Sequence, residues 1–543
     1  MSQEDTAIPE ELRADLVLMN GKIMTIDKDD SIEEAVAIKN GRIEAIGKNH
    51  EIRQFIGNRT RVIDLVGKAV LPGFNDAHNH LVESGLNLAE LDCRTPPIAS
   101  IEEIIQLVRD KASKVEPGTW IKGWGYDHTK LREKRHPSRM DLDRAAPHNP
   151  VLVRRTDGHM CVVNSRAIEI AGITKDTPDP PGGHIVKDPQ TNEPSGLLQE
   201  TAQNLVKERI PPPTLDQIKE AIRLACQIYL AEGITSTQEA GVGPEEIRAF
   251  IEMQKSGDLP IKVYMMLKVD YLKDILKLGI YSGFGNDRLK IGPIKIFMDG
   301  SMGGRTAALY SPYENDSSAY GILRQSQEEL DEQVKVSHGA GFQVAIHAIG
   351  DRAIDMTINA IERALKENPR GNHRHRIEHC GLATPQLRKR IRDLGIVAVP
   401  QPTFIYALGD SFEANLGVER MGSTYPMRSF IDDRILVAAS SDRPVVIGSP
   451  LVGIWSAVNR QTANGNTLAP EQRISASEAI RLYTINSAYA SFEEDKKGSI
   501  EPGKAADLAI ISSSPVDVPS ERIRDLKVET TIVDGKVMYQ ASA

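Results

Sequence analysis

The sequence predicts an α/β fold: a (β/α)8 barrel with a composite β-sandwich from both termini and a large insertion after the first barrel strand. Three observations predict it. Apolar, β-branched runs alternate with helical patterns through the middle of the chain, the signal of βα units and a parallel sheet. Eight such runs can be counted, enough to close a barrel. Short strand-like pieces broken by Asn-Gly and Asp-Gly turns cluster at the two ends instead.

The N-terminal pieces come first. Leu16–Met19 precedes Asn20-Gly21 and Ala35–Ile38 precedes Asn40-Gly41, and Asn-Gly between apolar runs predicts hairpins. Ile43–Ile46 and Arg61–Asp64 add strands before a Pro72-Gly73 bend. At the far end, Ala506–Ile511 and Glu529–Val533 are strands, and Asp534-Gly535 turns into Lys536–Tyr539. Neither group closes a sandwich alone, so residues 1–72 and 498–543 are expected to pair as one domain, with 73–497 as the barrel. The barrel strands are expected at Phe74–His80, Ile234–Glu239, Lys262–Leu267, Ile291–Phe297, Gln343–His347, Arg376–His379, Ile396–Pro400 and Ile435–Ser440. Leu215–Ala231, Gln327–Gly339 and Ala353–Glu367 carry helical patterns between them.

The first and second strands are separated by roughly 150 residues, against a usual connection of about 2–6. Residues 83–230 are therefore an expected inserted subdomain, with an amphipathic helix at Ile101–Ser113. Following a barrel strand, it should cover the C-terminal face, where such barrels do chemistry.

Composition narrows the function classes. A chain of 543 residues, 40% hydrophobic and 26% charged, can bury a large core. A net charge of -9 argues against a nucleic-acid partner. No run approaches ~18 apolar residues, and the first thirteen are polar, so neither a membrane span nor a secretory leader is expected. Cys93, Cys161, Cys226 and Cys380 are scattered without a Cys-x-x-Cys pair, which fits a reduced, cytoplasmic protein.

Chemistry concentrates at the strand ends. His78 and His80, two apart on one strand, point to one face and can grip one metal ion. His347 closes the fifth strand, His379 the sixth, and Asp442 follows the eighth; Lys295 lies within the fourth. In a closed barrel these ends meet at one mouth. Neutral imidazoles with a carboxylate suit one or two divalent ions: zinc, or manganese, iron, nickel or cobalt. A buried lysine beside two cations can take up carbon dioxide and bridge them as a carbamate. Singly, each residue has a plain alternative: a snorkelling lysine, a core histidine, a surface histidine beside Arg374, or a capping aspartate.

The segments Leu71–His80, Ile294–Ser301, Ile346–Asp351, Arg376–His379, Ser441-Asp442 and Gly498–Leu508 resemble the amidohydrolase superfamily, and within it amidohydrolase family 3. The resemblance implies a barrel with a composite sandwich. It also implies one or two divalent metals held by His78, His80, carboxylated Lys295, His347, His379 and Asp442. The expected reaction is hydrolysis of a non-peptide carbon–nitrogen bond, an amide, N-formyl or N-acyl group. Asp442 and His379 would be the catalytic groups, with Asp442 passing a proton from water to the leaving nitrogen. A hydrolytic deaminase or cyclic amidase is the related alternative, which Lys295 disfavours. A non-catalytic binding or regulatory protein is the alternative of another class.

Substrate contacts are expected from the insertion and loops. His159, in Thr156-Asp-Gly-His159, either reaches the mouth or sits in a glycine turn. Trp124 and Asp127 form either a pocket wall or subdomain packing. Arg305 closes the glycine-rich loop Asp299–Arg305 and pairs either with a substrate anion or with a structural carboxylate; no Gly-Lys-Ser/Thr makes that loop a phosphate site. Gln401 follows the seventh strand and is a further pocket candidate. The expected partner is a small amide-like molecule; related proteins suggest a homodimer.

Overall fold

The computed structural model describes residues 9–314 and 316–542. The barrel sheet has seven parallel strands in chain order: β1 (Phe74–Asn79), β2 (Ile234–Val242), β3 (Lys262–Lys268), β4 (Leu289–Phe297), β5 (Val344–Ala348), β6 (Arg376–His379) and β7 (Val397–Val399). Seven of the eight expected strands are thus present, with ends shifted by a few residues. The eighth, expected at Ile435–Ser440, is not a regular strand. It bridges Ala398 through Val437, and Ser440 N–H donates to Pro400 O (3.2 Å). On its other side Ala77 N–H donates to Ala439 O (3.3 Å) and Asp442 N–H to His78 O (2.8 Å). The segment therefore links the two edge strands in spite of its irregular backbone.

Local chemistry explains the helices between strands. Thr214 and Gln217 form a capping box at the start of Leu215–Ala231, and Ser326 with Glu329 does the same for Gln327–Gly339. The helix Asp351–Glu367 buries Ile354, Ile358, Ile361 and Ala364, a 3–4 residue spacing that turns one face onto the sheet.

Strands from the two ends of the chain meet in one six-stranded sheet, where Ala69–Pro72 pairs antiparallel with Leu508–Ile511. A four-stranded sheet of Leu16–Met19, Ala35–Lys39, Arg42–Gly47 and Arg61–Asp64 shares a core with it through Leu18, Val36, Ile23, Val70, Leu508 and Ile532. Asn40-Gly41 makes the expected two-residue hairpin, with φ of 50° and 74° and Lys39 facing Arg42. Asp534-Gly535 does likewise at φ 46° and 72°. Asn20-Gly21 does not: there the chain crosses between sheets, and Lys22–Met24 pairs with Ala69–Pro72 instead. Gly21 is needed for close approach, since a Cβ would lie 2.8 Å from Leu65 Cβ and 2.9 Å from the backbone oxygen of Lys68.

Between β1 and β2, six strands from Leu91–Asp92 to Pro194–Glu200 form a separate sheet, with apolar clusters around Tyr126 and Val153 and around Leu152 and Ile168. Among the described residues no helix is long and apolar enough to cross a membrane. All four cysteines are buried free thiols.

Candidate metal centre

The parallel strands carry His78, Lys295, His347 and His379 to one end of the sheet. All four are nearly inaccessible, at 1–3% exposure, while His80 keeps 23% of its side chain exposed. His78 and His80 rings lie 5.6 Å apart, His78 and His379 5.0 Å, and His347 and His379 4.4 Å. Asp442 Oδ1 is 3.2 Å from His80 Nε2 and 3.4 Å from His78 Nε2, and Lys295 Nζ is 3.5 Å from His78 Nε2. One ligand atom each from His78, His379 and Asp442 falls within a mutual 4.8 Å, a span that a single ion with ~2 Å bonds can draw together.

The outer contacts decide which ring atom faces inward. His78 Nδ1 is held by Glu378 Oε2, His80 Nδ1 by Ala240 O at 3.0 Å, and His379 Nδ1 by Gln401 Oε1 at 2.8 Å. Each leaves Nε2 for the centre, the outer-shell arrangement that fixes a metal-ligating imidazole. His347 is reversed: Nε2 lies 3.1 Å from Gly300 O and 3.4 Å from Asp299, so Nδ1 is the free atom. Burial holds His379 down at about 3 and His78 and His347 well below the ordinary histidine value. The three are therefore neutral donors near pH 7. His80 differs: burial opposes its charge, yet the bond to Asp442 lifts it to about 9. Burial brings Lys295 down to about 8, within reach of a neutral, nucleophilic amine. The donor set thus fits a divalent ion.

The backbone is strained at this site. His379 has φ +70°, Cys380 +48° and Asp442 +57°, conformations costing about 1–3 kcal/mol each outside glycine and tolerated where the surroundings over-determine them.

A family model described as "Amidohydrolase family" matches residues 61–539. The chain belongs to this family. It is 31% identical to the N-substituted formamide deformylase of Arthrobacter pascens, over 97% of this chain and 98% of that protein. It is 32% identical to the putative amidohydrolase YtcJ of Bacillus subtilis, over 88% and 90%. The fold is similar to an uncharacterized metal-dependent hydrolase from Pyrococcus horikoshii OT3, with a TM-score of 0.76 at 28% identity, covering 93% of this chain and 99% of that one. The resemblance read from the strand-end motifs therefore extends across this amidohydrolase, a metal-dependent hydrolase.

The residues expected to touch substrate divide in two. His159 reaches the centre: its ring is 5.1 Å from that of His347, and its Nδ1 is 2.8 Å from Glu200. Gln401 faces His379, and its amide donates to Val399 O and Ser440 Oγ, so it holds a ring in place. Asp127 is buried against Arg155 (3.1 Å) and the Thr129 hydroxyl (2.8 Å). Trp124 donates to Asn87 O, and Arg94 stacks on its ring. Arg305 is exposed, with φ +58°, and donates to Asn415 Oδ1 rather than to a carboxylate.

Sequence reasoning passed over Glu378, Arg376 and Asp299. The Arg376-Ile-Glu-His379 run carried a signal: i and i+2 of a buried strand, with opposite charges, share a face. Asp299 accepts from the N–H groups of Ala308, Ile349 and Gly350, tying the loop after β4 to β5; burial raises it to about 7. Nothing in its local sequence distinguishes it from a loop aspartate.

Proposed function

We propose that this amidohydrolase hydrolyses a carbon–nitrogen bond in a small non-peptide amide, of the N-formyl or N-acyl type. We further propose that His78, His80, Lys295 as a carbamate, His347, His379 and Asp442 hold one or two divalent ions, zinc first among them. The observation that carries the reading is the inward set of imidazole nitrogens converging with Asp442, each ring anchored from behind. The formamide deformylase relative supports the N-formyl class. The two terminal sheets fit one composite unit of residues 1–72 and 498–543, with the insertion at 83–230 above the barrel mouth.

A bound divalent ion lowers the pKa of water and polarises a carbonyl. The remaining work falls to side chains. Asp442, whose carboxyl is lowered against the effect of burial by the His80 bond in the metal-free protein, would accept a proton from water and return it to the departing nitrogen. His159, beside His347 and oriented by Glu200, is placed to donate to the carbonyl oxygen as charge grows on it. The test is a screen of zinc-loaded and metal-stripped protein against N-formyl, N-acyl and cyclic amides. Metal-dependent release of amine is expected; its absence across the N-formyl and N-acyl sets rejects the reading.

Metal uptake should also release a proton. Metal-free His80, at about 9, is protonated at neutral pH, and its Nε2 must lose that proton to ligate. Apparent affinity should therefore rise about tenfold per pH unit between 7 and 9 from this group alone. Zinc titration calorimetry in buffers of differing ionisation enthalpy measures the release, and a flat affinity across that range contradicts it. The stability sign is the opposite. His80 is raised in the folded state, so its contribution to the metal-free fold is complete below about 6.5 and is lost as pH climbs through about 9.

A further inference from the structure

We propose that Arg324, stacked on Phe297 beside the centre, binds a carboxylate of the substrate, so that the preferred amide is an N-formyl or N-acyl amino acid or a comparable acidic amide. The choice of reaction rests on the hydrolase reading; the anion subsite does not.

Most arginines around the mouth are neutralised. Arg154 pairs with Glu83 and Glu90, Arg155 with Asp127 and Asp157, and Arg443 with Glu232. Arg324 forms no salt bridge among the described residues, and its guanidinium donates no hydrogen bond there. Its Cζ lies 4.8 Å from the Phe297 ring centroid. That same ring has Lys295 Nζ at 4.7 Å and the His347 ring at 5.4 Å, so the guanidinium shares an aromatic platform with two residues of the centre. A guanidinium held over an aromatic ring spends none of its N–H donors on that contact and keeps them for a planar anion. Its charge is also felt at His159 and at Lys207, another cation without a salt bridge among the described residues.

The backbone at Arg324 is fixed from two directions. Its N–H donates to Met298 O at 2.9 Å, just past β4. Against it packs Gly182 of the insertion, where φ is +70° and a Cβ would lie 2.8 Å from Arg324 O. The subsite therefore lies where the insertion closes on the barrel, next to the proposed carbonyl donor His159. An unpaired, half-buried cation in such a place gains most from an anion, and a charge-assisted bidentate pair is the strongest bond it can make.

The test compares matched substrates that differ only in charge: N-formyl and N-acetyl amino acids against their carboxamides. Wild type should favour the carboxylate series in kcat/KM. Arg324→Gln should reduce the carboxylate-to-carboxamide ratio about 10- to 100-fold, and Arg324→Lys should restore part of it. A structural role would depress both series and leave the ratio unmoved; a ratio in Arg324→Gln within about threefold of wild type overturns the proposal. Calorimetric binding of the same pairs to zinc-loaded protein separates the two readings. No turnover, with a carboxylate preference in binding that Arg324→Gln removes, rejects the hydrolase reading and keeps the subsite. Wild-type protein that binds both series alike, or binds no carboxylate, overturns the subsite itself.

Discussion

Asp442→Asn should remove turnover while leaving the fold intact. Asparagine keeps the shape and is, like aspartate, one of the few non-glycine residues that readily adopt the positive φ of 57° found at this position. The backbone bond from residue 442 N–H to His78 O, which ties the closing segment to β1, is untouched. What is lost is the basic oxygen and its charge. General acid–base groups contribute about 10²–10⁴ in rate, so kcat should fall by about 10³-fold or more. Loss of one anionic donor should also weaken metal retention. Steady-state kinetics, circular dichroism and metal analysis of one preparation read all three. Unchanged ellipticity with kcat within roughly tenfold of wild type would show that the proton passes through another group.

Strand ends were the legible part of this sequence. Short strand-like runs between helical patterns mark where a parallel strand stops, and the histidines at 78, 347 and 379 stand at or next to those stops, so topology alone gathers them. The closing segment before Asp442 was harder. Ile435 to Ser440 reads as a strand by composition, yet positive φ at Arg434 and Asp442 interrupts the regular ladder at both ends. Composition does not report such strain. Gln401 and Asp127 show a second limit: a place after a barrel strand or within the insertion does not say which way an amide or carboxylate is turned. Gln401 turns to His379, Asp127 to Arg155. Asn20-Gly21 shows a third. Turn chemistry fixes the local bend, but Leu65 and Lys68, in the turn between two later strands, decide which sheet the chain enters next.

The buried Arg376–Glu378 pair should be the point where fold and site fail together. Both side chains are fully inaccessible. Arg376 donates to Glu378 through Nε (2.8 Å) and Nη2 (2.9 Å), to Ala77 O (2.6 Å) and to Gln238 Oε1. Glu378 in turn holds His78 Nδ1. Arg376→Met keeps the length of the side chain but strands a carboxylate without its cation inside the barrel. Removing one partner of such a pair costs about 3–5 kcal/mol, roughly 3–5 °C in apparent melting temperature for a cooperative unit of this size. Without the two bonds from Arg376, the Glu378 carboxylate is no longer fixed against the His78 ring. Metal affinity should fall about 10- to 100-fold, the usual effect of losing an outer-shell partner. Arg376→Met with Glu378→Gln leaves no stranded charge, so it should recover much of the stability. It should not recover the affinity, because a neutral amide is a weaker acceptor for His78 Nδ1–H. Thermal melts and zinc titrations of the single and double variants separate the two effects. If both variants melt alike and bind zinc like wild type, the pair is a packing element and His78 is oriented by something else.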